Sequence, residues 1–451
     1  MTFSKLGLCE PILKAVLEQG YTAPTPIQAK VIPEILAGRS VVASAQTGTG
    51  KTAGFVLPIL ERLKGERKRR AKRMRALIIE PTRELAAQVQ ESISHYARHL
   101  DVVSMTMFGG VDTEQQKQQL IEGVDILVAT PGRLLDMIHQ RALHFDELEI
   151  LVLDEADRML DMGFIGDINK IIERLPEQRQ NLLLSATMSD DVRRLADTNI
   201  ENAVEISLEN DWASAPKITQ WLVTVDKHNK SALLSHLISE HQWKQALVFI
   251  RTKHGAAKLA SQLVKRGINA EAIHSDRSQA NRSKILAEFK SGELPILIGT
   301  GIAARGIDID NLERVVNYDL PDDADDYIHR IGRTGRAGAS GEAVSLVSND
   351  DFKRLCAIES RLGHLIGRRN NEAFKAVKEV PISILDFVKK SARDSTGRSS
   401  RGTQTRDPYK GNRPKNSNSG GRTQSADPNK SSGRRSTDGN KPVNPWLKNR
   451  K

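Results

Sequence analysis

Short apolar runs rich in Val, Ile and Leu recur along most of this chain, alternating with stretches of helical periodicity. A strand that is apolar at every position must be covered on both faces, which a parallel sheet between helix layers provides. VVASA (41–45), ALIIE (76–80), DILVAT (125–130), ILVLDEAD (150–157) and NLLLSAT (181–187) form one set of such strands. The pattern lapses over SLENDWASAPK (207–217), and a second set follows: QWLVTV (220–225), ALVFI (246–250), AEAIHS (270–275), ILIGT (296–300), RVVNYD (314–319) and EAVSLV (342–347). The spacing predicts an α/β chain with two parallel-sheet domains in tandem. Residues 1–206 form the first domain, 207–217 a linker, 218–362 the second domain, 363–390 a helical extension and 391–451 a tail.

The tail differs in composition. Residues 391–451 carry 15 Lys and Arg against 4 Asp and Glu, so the whole formal charge of +11 lies there and residues 1–390 balance. Only six of those 61 residues are hydrophobic, too few to offset the entropy of ordering, so the tail is expected to be a disordered basic arm. Such an arm binds a polyanion or only solubilises the chain. A second basic run, RKRRAKRMR (67–75), reads either as a nucleic-acid contact or as a solvated loop. Cys9 and Cys356 are far apart and form no CxxC pair, which argues against disulfide and cysteine-zinc frameworks. The N-terminus has no signal-peptide pattern and no apolar run reaches the roughly 20 residues of a membrane span, so a cytoplasmic protein without membrane association is expected.

SVVASAQTGTGKT leads from a strand through a glycine-bearing loop into a helix. Ala45, Gln46, Thr47, Gly48, Thr49, Gly50, Lys51 and Thr52 fit a phosphate-binding loop with Ala in the first glycine position. Gly48 and Gly50 let backbone N–H groups face phosphate, Lys51 reaches the β and γ phosphates, and the Thr52 hydroxyl ligates Mg²⁺. An ordinary Gly-rich turn would read the same in isolation. The later strand ILVLDEAD delivers Asp154 to the Mg²⁺ shell, partly through water, and Glu155 to the attacking water. A helix start would also use acids here, and the pairing with the glycine loop favours nucleotide hydrolysis. In YIHRIGRTGR, Arg330, Arg333 and Arg336 would share one face if helical, as a basic surface helix or as arginine fingers reaching across a cleft.

GYTAPTPIQ (20–28), AQTGTGKT (45–52), PTREL (81–85), GG (109–110), TPGR (130–133), DEAD (154–157), SAT (185–187), SQANR (278–282), ARGID (304–308) and HRIGRTGR (329–336) follow in that order. Over residues 1 to about 360 the chain resembles the DEAD-box ATP-dependent RNA helicases, and its body and N-terminus are most similar to the bacterial RhlE-type subgroup. The resemblance implies two RecA-like domains with ATP, Mg²⁺ and RNA between them, and ribosome-assembly or RNA-decay proteins as partners. Gln28 would read adenine, with Tyr21 and Phe3 as aromatic neighbours, although either aromatic could serve core packing. Asp308 would contact the ribose, Arg333 and Arg336 would act in hydrolysis, Asp157 and His329 would tie the two domains together, and Ser185 and Thr187 would link hydrolysis to strand separation. Pro81, Thr82, Arg83, Gly109, Gly110, Thr130, Gly132, Arg133, Gln279, Arg282 and Thr300 would hold the RNA backbone, which positions a strand without reading its sequence.

Two positions depart from the family pattern. Gly301 follows Thr300 where the family has Asp, and Ser275 stands where it has Gly. The first removes an acceptor beside an RNA contact, which weakens the expected coupling. The expected activity is ATP hydrolysis coupled to local duplex unwinding. A slowly hydrolysing, ATP-gated RNA clamp is the alternative, and a DNA helicase shares the same loop logic.

Overall fold

In the computed structural model, residues 2–45, 48–65, 68–208, 218–274, 276–301, 312–335 and 341–385 are described. The first seven strands are Val41–Ser44 (β1), Ala76–Ile79 (β2), Ser104–Met107 (β3), Ile126–Ala129 (β4), Ile150–Leu153 (β5), Gln180–Ser185 (β6) and Val204–Ser207 (β7). They pair in parallel in the order β3-β4-β2-β5-β6-β1-β7. The next seven are Ile218–Thr224 (β8), Ala246–Ile250 (β9), Ala270–Ile273 (β10), Ile296–Thr300 (β11), Arg314–Asn317 (β12), Gly341–Val347 (β13) and Gly367–Arg369 (β14). Their order, β10-β11-β9-β12-β13-β8-β14, is also all parallel and repeats the first sheet strand for strand.

The central strands β2, β4, β5 and β9 are buried at every residue, as an all-apolar strand requires. Alternate side chains go to opposite faces. Ile78 joins Phe55, Leu57 and Leu60 of the helix Lys51–Leu63, whereas Leu77 and Ile79 join Leu134, Met159 and Ile168 on the other side. In the second sheet Val248 and Phe249 divide in the same way. Each fully buried Leu, Ile or Phe contributes roughly 1.5–3 kcal/mol, so these layers outweigh any surface ion pair in holding the fold. All described residues fall in one compact unit, and among them no helix is long and apolar enough to cross a membrane.

The extension expected to be helical is not. Helix Phe352–Leu362 stops at Gly363, whose φ of +75° suits glycine, and the chain continues as β14 and a 3₁₀ turn, Glu372–Phe374. Side-chain anchors decide this. Ile366 is buried, the Arg369 guanidinium lies 4.2 Å from the Trp221 ring, and Trp221 Nε1 donates to Glu342 at 2.8 Å. A glycine and two arginines thereby occupy the edge position that β7 holds in the first sheet. Residues 386–390, the tail, linker positions 209–217 and Ser275 lie outside the described residues.

Four arginines of the basic run are paired within the protein, and Arg67 lies outside the described residues. Arg69 pairs with Asp125 and Asp101 at 2.7 Å each, Arg70 with Glu147 at 2.6 Å, Arg73 with Asp146 at 2.9 Å and Arg75 with Glu149 at 2.7 Å.

Candidate functional site

Between β1 and helix Lys51–Leu63, Gly48 and Gly50 have φ of +82° and +90°, which turns the loop back toward the helix start. Gly50 has a second reason to be glycine: a Cβ there would lie 2.4 Å from Gln28 Nε2. Gln28 sits in the first turn of helix Pro26–Leu36, where its Oε1 accepts from Thr25 N at 2.9 Å in a capping box. Its Nε2 donates to Gly50 O at 3.1 Å. Gln28 thus braces the loop, and each amide end keeps one more hydrogen-bonding position for a ligand. Ala45 N donates to Ser185 O, tying the loop start to β6. Tyr21 is 48% exposed, whereas Phe3 is packed in the core. Gln46 and Thr47 lie outside the described residues.

Lys51, the first residue of its helix, is only 6% exposed, and its Nζ has no hydrogen-bond partner among the described residues. The nearest carboxylate oxygen is Glu155 Oε1, 3.8 Å away. Thr52 follows, half-buried in the same turn. The first N–H groups of a helix lack intrahelical partners, so backbone donors, the Lys51 ammonium and the Thr52 hydroxyl are gathered in the first turn, as anion binding requires.

The facing acids leave the carboxyl end of β5. Asp154 Oδ1 accepts from Glu155 N at 2.8 Å, and Glu155 takes a left-handed conformation at φ +51° before helix Ala156–Asp161. That region costs a non-glycine residue on the order of 1–3 kcal/mol and persists where surroundings over-determine it. Burial, opposed by Lys51 and reinforced by Glu155, raises the Asp154 carboxyl above its ordinary range. Burial would raise Glu155 too, but Arg158, then Lys51, Arg333 and His329 outweigh it and hold Glu155 ionised. Arg158 Nε stands 3.1 Å from Glu155 Oε2. Two of these cations, Arg333 and His329, belong to the second sheet's segment.

Asp157 is consumed differently from the expectation that it ties the domains. Its Oδ2 accepts from Ala186 N, Thr187 N and Thr187 Oγ1 at 3.1, 2.9 and 3.0 Å, all within the first sheet. Ser185 Oγ accepts from Asp157 N at 3.3 Å and donates to Thr187 O at 2.7 Å. His329 is half-buried, and its Nε2 has no hydrogen-bond partner among the described residues.

The arginine run is not one helical face. Helix Ala324–Ile331 ends before Arg333. Arg330 is buried and bonded to Asp326 at 2.8 Å and to Asp319 O at 3.0 Å, while Arg333 is 6% exposed beyond the helix end. A Cβ on Gly301 would meet Arg330 Nη2 at 3.3 Å, so an acid at 301 would sit against this guanidinium. Arg336 and Asp308 lie outside the described residues.

The residues expected to hold RNA come from both sheets. Pro81 and Thr82 are buried, with Thr82 capping helix Arg83–Tyr96. The Arg83 guanidinium lies across Gly109 and Gly110, where a Cβ on Gly110 would be 2.3 Å from Nη1. Arg133 donates to Thr113 Oγ1 and Gln116 Oε1 at 3.0 Å each. Thr130 is half-buried, its side chain makes no cap bond, and the Cβ position of Gly132 faces open space. Thr300 ends β11, half-buried. Arg282 and Gln279 reach across to Glu84, with Arg282 Nη2 at 2.9 Å and Gln279 Nε2 at 3.3 Å from Glu84 Oε1. Burial first, then the charge of Arg282, lowers the Arg83 guanidinium, which marks cations gathered in one place.

Sequence reasoning missed Glu80, Glu84 and Arg158. Glu84 lies inside PTREL, and Arg158 lies one turn from Glu155. Glu80 ends the run ALII as Asp154 ends ILVL, and that parallel was the available signal.

The sequence matches the DEAD/DEAH box helicase family over residues 25–195 and the helicase conserved C-terminal domain over residues 229–338. The ATP-dependent RNA helicase CshA of Limosilactobacillus reuteri is 40% identical over 402 residues, covering 88% of this chain and 80% of its own. The DEAD-box ATP-dependent RNA helicase RhpA of Helicobacter pylori is 40% identical over 361 residues, covering 80% and 72%. The ATP-dependent RNA helicase DeaD of Escherichia coli is 41% identical over 387 residues, covering 83% and 61%. Among solved structures, S. cerevisiae Dbp5 bound to RNA and ADP BeF3 superposes with a TM-score of 0.75 at 30% identity, covering 87% of this chain and 99% of that one. Mss116 bound to ssRNA and UDP-BeF gives 0.73 at 28% identity, covering 82% and 80%. The two matching sheets are tandem RecA-like domains. With ordered motifs, a shared two-sheet fold and this degree of identity over most of its length, the chain belongs to the DEAD-box ATP-dependent RNA helicase family.

Proposed function

We propose that the protein is an ATP-dependent RNA helicase that couples ATP hydrolysis to RNA binding and local duplex unwinding. The observation that carries it is the buried Lys51 ammonium, without a hydrogen-bond partner among the described residues and 3.8 Å from Glu155, with Arg333 and His329 of the second domain inside the electrostatic reach of Glu155. Such a site is complete only when both domains contribute.

In this reading Gln28 recognises adenine with its remaining amide positions, beside Tyr21. The Gly48–Thr52 turn and Lys51 hold the phosphates. Glu155, kept ionised by its cations, orients water for attack on the γ-phosphoryl group, and Arg333 stabilises the charge that develops as ADP leaves. Thr52 and Asp154 offer hard oxygen donors that fit Mg²⁺. Among the described residues no three acidic, imidazole or thiolate groups converge on one point, which suits an ion that keeps several waters. Mg²⁺, when bound, neutralises phosphate charge. Arg83, Arg133, Gly109, Gly110, Thr130, Gly132 and Thr300 contact the RNA backbone, while Arg282 and Gln279 join that surface to Glu84. The RhlE-type subgroup is the assignment we propose from the body and N-terminus of the sequence.

Steady-state ATPase with single-stranded RNA, with matched DNA and with neither, together with displacement of a short RNA strand, tests the reading. RNA-specific stimulation and displacement are expected, and Glu155→Gln should bind ATP and RNA without turnover. Equal stimulation by DNA would refute the RNA assignment. Tight ATP-dependent RNA binding with negligible displacement would establish the clamp, which the missing acid at Gly301 favours.

A further inference from the structure

We propose that Glu80 is a positioning residue for the divalent cation of the nucleotide site, a third carboxylate acting through the cation's bound water. The inference rests on the nucleotide-site reading above.

Glu80 is fully buried, and neither of its carboxylate oxygens has a hydrogen-bond partner among the described residues. Burying a carboxylate without partners is among the costlier things a fold can do, and a scaffold role would normally satisfy it. Its placement is specific. The β2–β5 ladder ends on the pair Ile79 and Leu153, so Glu80 and Asp154 are the next residues of two adjacent parallel strands. Neighbouring strands lie about 4.8 Å apart, which puts the two carboxylates at one level of the sheet edge. The charged groups within reach of Glu80 are those of the site: Asp154, Glu155, Arg158 and Lys51.

The second sheet shows what the fold itself needs at this point. There the corresponding β9–β12 ladder ends on Phe249 and Asn317, and the next residue of β9 is Ile250, a buried apolar side chain. The architecture therefore accommodates a hydrocarbon where Glu80 stands, and the carboxylate answers to the site. Glu80, Asp154 and Glu155 do not converge as direct ligands. Mg²⁺ retains much of its water shell, and hydrogen-bonding that shell is how a carboxylate at this remove holds the ion.

The test uses the full chain and a fluorescent ADP analogue, titrated with Mg²⁺ from a chelated start, for the parent, Glu80→Gln and Glu80→Ile. Outer-shell partners are typically worth 10–100-fold in metal affinity, so both variants should need about tenfold more Mg²⁺ for half-maximal effect, with metal-free ADP affinity within about twofold of the parent. Thermal melts give a second readout. Without metal the variants should be at least as stable as the parent, having lost a buried carboxyl with no hydrogen-bond partner among the described residues, and Mg²⁺ with ADP should raise their Tm less. An unchanged Mg²⁺ midpoint in folded variants overturns the proposal. So does failure of both variants to fold, which would make Glu80 a scaffold carboxylate. A parent whose ADP binding ignores Mg²⁺ would instead refute the cation site itself, and the parent titration separates that case.

Discussion

Lys51 and Lys230 occupy the same place in two sheets of the same strand order, and they have opposite fates. Each is the first residue of the helix that follows the corresponding strand, β1 in one sheet and β8 in the other. Each faces a carboxylate two residues past the end of the adjacent ladder: Glu155 at 3.8 Å for Lys51, Asp319 at 3.7 Å for Lys230. Both side chains are buried. Lys230 Nζ, however, donates to Asp351 Oδ2 and Tyr318 O at 2.9 Å each, while Lys51 Nζ donates to nothing among the described residues. Asp351 answers the ammonium in the second sheet, where in the proposed reading a phosphate answers it in the first. The glycine loop is also replaced, by the 3₁₀ turn Lys227–Asn229, which presents no comparable cradle. A buried charge is therefore not a mark of function. A buried charge left unsatisfied is.

The largest effect that sharpens this contrast is on catalysis. Lys51→Met should lower RNA-stimulated ATP turnover by roughly a thousandfold or more, on the scale of losing a phosphoryl-transfer cation. Its melting temperature should change little, because the Lys51 ammonium makes no hydrogen bond among the described residues and only a 3.8 Å contact with Glu155, which Arg158 still answers at 3.1 Å. A destabilised Lys51→Met with substantial turnover would break the comparison at once.

Lys230→Met should do the reverse. It leaves Asp351 buried with only the longer contacts to Arg354 and Arg251, at 3.7 and 3.8 Å, so the cost should approach but not exceed the roughly 3–5 kcal/mol of a broken buried pair, while replacing both partners with apolar groups restores much of the loss. Urea unfolding of Lys230→Met and of Lys230→Met with Asp351→Leu measures this. The pH dependence has a definite sign. Burial would raise the Asp351 carboxyl, but Lys230 and the Ser348 hydrogen bonds outweigh it and hold it below the ordinary aspartate value. A depressed folded value means the pair's contribution is complete above about pH 4 and is lost as pH falls below it. Parent and variant should therefore converge in stability on acidification.

A smaller effect lies between the sheets. Glu84 with Arg282 and Gln279 is a buried contact joining two elements expected to share RNA. A double-mutant cycle on Glu84→Gln and Arg282→Gln, read as RNA affinity in the presence of ADP and beryllium fluoride, should give a coupling of about 1 kcal/mol or more. Strict additivity would mean that the pair does not form in the RNA-bound protein.

The parts of this molecule legible in its sequence are those with a periodic or chemical signature. All-apolar central strands announced both sheets, and the glycine loop and DEAD run announced the site's position. Edge strands did not: β3 and β7 are short and half-polar, and β14 is Gly-Arg-Arg, held by Trp221 and Glu342 from elsewhere in the chain. The bracing of Gly50 by Gln28 was hidden because a residue type that suits adenine equally suits a backbone carbonyl. Glu80 was hidden as the last letter of a strand. The arginine-bearing helix ends at Ile331 with Gly332 as its C-cap, and Arg330 is held by Asp326 and by Asp319 O, the latter a contact that periodicity does not encode.

The smallest expected effect concerns the basic run 67–75, which the sequence left between RNA contact and solvated loop. Each of Arg69, Arg70, Arg73 and Arg75 faces a carboxylate at 2.6–2.9 Å, so its charge is already answered within the protein. For an RNA phosphate to use Arg70 or Arg73 it must displace Glu147 or Asp146, gaining one ion contact by losing another. Exposed pairs of this kind contribute about 0–1 kcal/mol, so Arg70→Ala with Arg73→Ala should lower stability only slightly. RNA affinity at about 0.1 M salt, where screening acts over about 10 Å, should change by less than about twofold. The dependence on salt is the sharper observable. Each phosphate neutralised on a single strand adds about 0.7 to the slope of log affinity against log salt, so a belt that binds no phosphate leaves the slope of the double variant equal to the parent's. Truncation after residue 390, which removes all of the formal +11, should flatten it. Titrating one RNA at several salt concentrations for the parent, the double variant and the truncated chain decides the matter, and a slope that falls by one or more contacts in the double variant would show that RNA outcompetes the carboxylates of the belt.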